Sequence, residues 1–177
     1  MRIISGRFKG KAIKQPAGIR PTQDKVRKAL FDILGDIKGL SFLDLYAGSG
    51  AVGLEALSQG TSKVIFVEKD RDCVAKIKQN ISAIGLHCRI IGMDALEAIQ
   101  QLHKTDEKFN IIFLDPPYYR GLVKKTLKTL TRYDIVAPSG LIICQYFKKD
   151  ILPEIIADLS LIKQAKYGDT FLSFYQL

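Results

Sequence analysis

The sequence predicts an α/β, Rossmann-like fold: a mostly parallel seven-stranded sheet with helices on both faces, preceded by an N-terminal hairpin and helix. Three observations carry that prediction. From residue 41 onward, short apolar runs alternate with stretches of helical period, and repeated βα units imply parallel strands covered on both sides. A glycine-rich turn, Ala47-Gly48-Ser49-Gly50, joins the first apolar run to a helical pattern. Four runs end at an acidic residue, Asp44, Glu68, Asp94 and Asp115, and open parallel sheets bind ligands beyond the carboxyl ends of their strands.

Taken in order, Arg2–Ser5 and Lys11–Gln15 flank the turn Gly6-Arg7-Phe8-Lys9-Gly10 and read as a small hairpin. Pro16, Gly18 and Pro21 interrupt the chain before a helix with Thr22 as its cap. Val26, Leu30 and Ile33 recur at helical spacing and face the core, which places Arg27 on a different surface. Strands are expected near 41–46, 63–68, 88–92, 109–114 and 140–146, with helices near 51–59, 71–84, 95–102 and 121–132. A short helix near 151–158 and an antiparallel pair near 160–167 and 170–176 close the chain. At 177 residues, one domain with a substantial core is expected. Its division is a basic extension over residues 1–39 and a Rossmann-like body over 40–177.

Hydrophobic content of 47% and charged content of 25% are those of an ordinary soluble protein. No apolar stretch approaches the roughly 18 residues of a membrane span, and the first residues carry no apolar signal region. The three cysteines, Cys73, Cys88 and Cys144, lack metal-ligand spacing. A cytoplasmic monomer without a bound metal is the expectation. The net charge of +9 is concentrated in residues 1–30, where nine cations face Asp24 alone. That asymmetry reads as a surface for a polyanion, with Arg2, Arg7, Lys9, Lys11, Arg20 and Arg27 as its candidates. Arg120 could extend the track beside the later stripe Lys124, Lys128 and Arg132, although such a stripe is more often a solvated helix face.

The chemistry is concentrated in two segments. Gly48, Gly50 and Gly53 fit a dinucleotide-binding turn, so an oxidoreductase competes here. Asp44, four residues before the turn, sits poorly beside a pyrophosphate and well beside the ammonium of S-adenosylmethionine. Glu68 is placed for ribose hydroxyls, which either cofactor offers. The second segment is Asp115-Pro116-Pro117-Tyr118, following the apolar run 109–114. Two prolines make a rigid corner that can present a carboxylate and carbonyl oxygens to an amino group, with an aromatic ring for a flat base. Adenine N6, cytosine N4, guanine N2 or a protein amide would all suit such a corner. A non-catalytic RNA-binding assembly factor on the same fold is the non-enzyme alternative.

With both segments located, the chain resembles the bacterial small-subunit ribosomal RNA (guanine-N2)-methyltransferases of the RsmD type. The likeness lies in Arg2-Ile3-Ile4-Ser5-Gly6, Arg20-Pro21-Thr22, Arg27–Phe31, Leu43–Gly50, Gly53–Ala56, Phe66–Lys69, Asp115–Tyr118 and Lys166–Thr170. The resemblance implies a class I S-adenosylmethionine-dependent fold that methylates the N2 amino group of one guanine, position 966 by the usual count, in 16S rRNA of an assembling small subunit. It implies that Asp44, Tyr46, Ala47, Gly48, Ser49 and Gly50 hold the cofactor's methionine part, with Thr22 closing over it. Glu68 with Lys69 would take the ribose, and Asp94 with Ala95 the adenine region. Asp115, Pro116, Pro117 and Tyr118 would hold the base, with Asp115 also beside the cofactor. Tyr46 replaces a phenylalanine more usual in the family. Gln145 stands where glutamate is expected, and no role is assigned to it.

Overall fold

The computed structural model describes residues 1–16, 23–118 and 121–177. Its elements are α1 (Asp24–Leu34), β1 (Ser41–Leu45), α2 (Ala51–Ser58), β2 (Lys63–Val67), α3 (Arg71–Ala83), β3 (Arg89–Ile91) and α4 (Ala95–Lys104). β4 (Phe109–Leu114), α5 (Leu122–Leu130), β5 (Val136–Phe147), β6 (Ile155–Ile156), β7 (Leu159–Tyr167) and β8 (Thr170–Gln176) complete them. Among the described residues, eight strands join one sheet in the order β3-β2-β1-β4-β5-β8-β7-β6. The first five of that order are parallel and the last three antiparallel.

The central strands read as unbroken apolar runs because both faces of the sheet are covered. Alternate residues serve opposite faces. Leu43, Leu45, Ile65, Val67, Ile112 and Leu114 pack with Ala98, Ile99 and Leu102 of α4 and Val123 and Leu127 of α5. Phe42, Phe66, Ile111, Phe113 and Ile143 pack with α1, α2 and α3 through Val26, Leu30, Val52, Ile77 and Ile81. Chain order reverses between β1 and β4, since β2 and β3 lie on one side and β5 on the other. The crevice between their carboxyl ends is where such sheets take ligands.

Helix α2 is buried nearly all round, because the N-terminal hairpin covers the side that the sheet does not. The Glu55 carboxylate accepts hydrogen bonds from Ile4 N (2.9 Å), Ser5 N (2.7 Å) and Ser5 Oγ (2.8 Å). Ser58 Oγ accepts from Phe8 N at 2.9 Å. Ile3 and Ile13 of the hairpin share a core cluster with α1 and the sheet. The hairpin is therefore fastened to the body by charge-assisted bonds and apolar contact together.

Four expectations are corrected. The sheet has eight strands, because the short segment Ile155–Ile156 pairs with Leu159–Ser160. No helix forms over 151–158: the Pro153 carbonyl accepts from Tyr175 Oη at 2.7 Å, Ile155–Ile156 pair with Leu159–Ser160, and Ile151 is 91% exposed. The cap of α1 is Gln23, with no side-chain cap bond; Thr22, the expected cap, lies outside the described residues. Arg27 does not face solvent, where a residue of an RNA-binding surface was expected. Its side chain is fully buried, with Nη2 donating to the Arg2 carbonyl at 2.6 Å and to Asp24 at 3.1 Å. Its Nε lies 3.4 Å from Glu55 Oε2, an ion-pair distance without hydrogen-bond geometry. The hairpin that sequence periodicity could not place covers this face of α1.

Candidate active site

A cavity of about 450 Å³ opens at the carboxyl ends of the parallel strands, within the roughly 300–1,000 Å³ of small-molecule sites. Its walls include Tyr46 and Gly48 after β1, Val67, Glu68 and Lys69 at the end of β2, Met93 and Ala95 before and in α4, and Asp115–Tyr118 after β4. Gln145 and Thr170 close the side formed by β5 and β8.

The glycine turn is shaped by what its neighbours leave room for. Gly50 takes φ 78° at the start of α2, a left-handed conformation that side chains resist. A Cβ on Gly53 would stand 2.3 Å from Phe66 Cε1, so helix and sheet pack together only with glycine there. Tyr46, a bulky aromatic, also takes a positive φ of 61°. That is a costly conformation for such a residue, found where surroundings enforce it and often at functional sites. Its hydroxyl lies 2.7 Å from Thr126 Oγ1 of α5. The ring is thereby fixed as one wall of the cavity.

The acidic residues divide by position. Asp44 lies inside β1, one residue short of its end, in register with Phe66 and Phe113. Its Oδ2 accepts from Gly53 N at 2.9 Å, and the side chain is 2% exposed. Burial, and then the negative charges of Asp115 and Glu68, push its pKa from 3.8 up to about 8 against the lowering effect of the Gly53 bond. Asp44 does not line the cavity; it clamps the turn to α2. Glu68, the residue after β2, does line it. Its Oε2 accepts from Gly48 N at 2.8 Å and its Oε1 from Asp70 N at 2.9 Å, leaving a further acceptor position on each oxygen. Asp94 caps α4 through Leu96 N at 3.0 Å and lies 3.7 Å from Lys69 Nζ. Its neighbour Ala95, and not Asp94, is in the wall.

At the corner, Asp115 follows the last residue of β4, and the pairing Leu114 with Cys144 sets it beside Gln145. Gln145 Nε2 donates to Asp115 Oδ2 at 2.7 Å. Pro116 is buried and Pro117 exposed. The Tyr118 ring is half-buried, with its centroid 5.8 Å from that of Phe147 at a 36° tilt. Neither proline carries an N–H, so the Pro116 and Pro117 positions offer carbonyl acceptors and no amide donor.

The structure thus brings Tyr46, Gly48, Glu68, Lys69, Ala95 and Asp115–Tyr118 to one cavity. Ala47, Ser49 and Gly50 shape the turn behind it, where Gly50 N donates to the Ala47 carbonyl. Arg2, Arg7, Lys9 and Lys11 are exposed on the hairpin. There Arg2 Nη1 donates to the Gly10 carbonyl at 2.8 Å, and the Arg7 guanidinium stands 5.2 Å from the Phe8 ring centre. Thr22, Arg20 and Arg120 lie outside the described residues. Gln23 and Met93 line the cavity without having been singled out, and Gln145 and Thr170 line it without having been assigned a role. For Gln145 the signal was a lone polar residue within the buried run 142–146.

A crevice with this donor set suits a cationic nucleoside. Glu68 and Asp115 on its walls set two carboxyl groups where a positively charged ligand would be stabilised. The sheet order and this crevice define a class I methyltransferase, the class that takes S-adenosylmethionine as its methyl donor. The family model described as "Conserved hypothetical protein 95" matches residues 1–176, and the chain belongs to that family, the RsmD family of the resemblance. It is 36% identical over 181 residues to the Bacillus subtilis (strain 168) protein named "Putative rRNA methyltransferase YlbH", covering 99% of this chain and 98% of that one. It is 33% identical over 180 residues to Escherichia coli (strain K12) ribosomal RNA small subunit methyltransferase D, covering 99% and 89%. A solved structure of a hypothetical protein from Thermus thermophilus superposes with a TM-score of 0.88 at 34% identity, covering 100% and 99%.

Proposed function

We propose that this chain transfers a methyl group from S-adenosylmethionine to the exocyclic N2 amino group of a guanine in 16S rRNA of the small ribosomal subunit. The observation that carries the reading is the meeting of the Asp115–Tyr118 corner with Tyr46, Gly48 and Glu68 on the walls of one cavity. The ribosomal substrate is supported by the name of the Escherichia coli relative, and guanine by the family resemblance. The acceptor-rich corner itself suits any amine that presents two N–H groups.

Bound S-adenosylmethionine supplies a methyl carbon already activated by its sulfonium charge. Glu68 orients the ribose through its remaining acceptor positions, while the strained Tyr46 and the Gly48 backbone bound the methionine end. Val67, Met93 and Ala95 give the apolar slot that an adenine ring needs. Asp115 accepts one N–H of the target amine, and a carbonyl of the Pro116–Pro117 step accepts the other. Those two acceptors favour a pyramidal nitrogen, whose lone pair is otherwise delocalised into the ring, and stabilise the charge that develops on it. Tyr118 stacks on the base, which must come from a loop or be flipped out because pairing would hide N2. The exposed cations of the hairpin, Arg7, Lys9 and Lys11, hold the phosphate backbone.

The test supplies labelled S-adenosylmethionine with naked 16S rRNA, with unmethylated small subunits and with DNA, followed by nucleoside analysis. N2-methylguanosine from the ribosomal substrate is the expected product. N6-methyladenosine or N4-methylcytosine would move the chain among other amino-methyltransferases. Cofactor binding with no transfer would leave it a non-catalytic assembly factor.

A further inference from the structure

We infer that Gln145 is a positioning residue for Asp115: its side-chain amide fixes the carboxylate that receives the target amine. The inference rests on the proposed reading of Asp115 and assigns a role to a residue that the motifs leave without one. Gln145 is 4% exposed, within a buried run that includes Ile142, Ile143, Cys144 and Tyr146. Its Nε2 donates to Asp115 Oδ2 at 2.7 Å, and its Oε1 is buried without a hydrogen-bond partner. A buried amide that leaves one end unsatisfied is a poor way to fill a core. An apolar side chain of the same shape would avoid that cost, so the amide's one bond is the feature that accounts for its presence.

The orientation of the amide follows from charge. Only the NH₂ end can donate, and an ionised carboxylate can only accept. The bond holds Oδ2 toward β5 and is stronger to an ionised carboxylate than to a neutral one. Parallel register makes the arrangement rigid, since Leu114 pairs with Cys144 and the next residues of both strands fall side by side. Gln145 is in turn backed by Leu172 of β8. A carboxylate locked in this way meets the amine in one geometry without reorganising. A glutamate at the same position would set two carboxyl groups at hydrogen-bond distance, which must share a proton at neutral pH.

The experiment compares kcat, KM for the RNA, cofactor Kd and the pH–rate profile of wild type, Gln145→Leu, Gln145→Glu and Asp115→Ala. Gln145→Leu is expected to lower kcat about 10- to 100-fold, as for one lost hydrogen bond to a charged group, with KM and cofactor Kd within about threefold. Gln145→Glu keeps size and shape, so it reports even if the leucine variant folds badly. Its acidic limb is expected to move to higher pH by about one unit or more, with activity recovering above the shifted limb. Gln145→Leu at wild-type kcat, or Gln145→Glu with an unmoved limb, overturns the inference while an impaired Asp115→Ala leaves the proposed function standing. Normal turnover by Asp115→Ala overturns both.

Discussion

Two aspartates at the ends of neighbouring strands, Asp44 of β1 and Asp115 beyond β4, show how two residues of register separate architecture from chemistry. Asp44 precedes the last residue of its strand, so its side chain is committed to the layer between sheet and helices. There it bonds Gly53 N, and burial lifts its pKa to about 8. Asp115 follows the last residue of its strand, opens onto the cavity and is held from the side by Gln145. Both are acidic residues at the carboxyl edge of a parallel sheet, yet only the second lines the crevice. The comparison teaches that the strand's last paired residue, rather than the acidic residue alone, decides which role follows.

The largest expected effect breaks the comparison if it fails. Asp115→Ala should lower kcat by about 10²–10⁴, the usual range for a positioned acid–base group, measured under saturating cofactor. A second contrast sets buried charge against surface charge. Arg27→Met leaves Glu55 beneath the hairpin without its buried cation, and loss of one partner of a buried pair costs about 3–5 kcal/mol, read from denaturant unfolding. Were Arg27 a surface residue of an RNA arm, the change would stay within about 0.5 kcal/mol. Glu68→Ala should weaken S-adenosylmethionine by about 1.5–3 kcal/mol, the worth of a hydrogen bond to a charged group, measured by calorimetry. The gentlest effect is spread across pH. The folded pKa of Asp44 lies above its ordinary 3.8, so between about 4 and 8 the folded state keeps a proton that the unfolded chain has released. Its contribution is complete below the lower value and is lost as pH rises through the upper one. Asp44→Asn retains an acceptor for Gly53 N and removes the titration, so its unfolding free energy should vary less with pH across that window.

Much of the parallel half was legible because each βα unit carries its own signals: an apolar run, a turn, and at the helix start either a glycine, as at Gly50 and Gly121, or a capping aspartate, as at Asp70 and Asp94. What was not legible depends on partners distant in sequence. The burial of Arg27 requires Glu55 and the hairpin backbone, neither of which helical spacing reveals. Gln145 gains meaning only when β4 and β5 are set in register. Ile151, Leu152, Ile155 and Ile156 imitate a helical face, but the Pro153 carbonyl is taken by Tyr175 and Leu161 N bonds the Glu154 carbonyl at 2.7 Å, which holds that stretch extended. The site residues after β2 and β4 were visible from strand ends alone, whereas Asp44 looked equivalent to them because a strand's final residue cannot be fixed from sequence to within one position.

The most direct test of the central claim is a crystal structure with S-adenosylmethionine bound. The account predicts the sulfonium between Tyr46 and Asp115, ribose hydroxyls on Glu68, adenine against Val67, Met93 and Ala95, and Asp44 still bonded to Gly53 without touching the ligand. A ligand seated away from this crevice, or a ribose that bypasses Glu68, would contradict it.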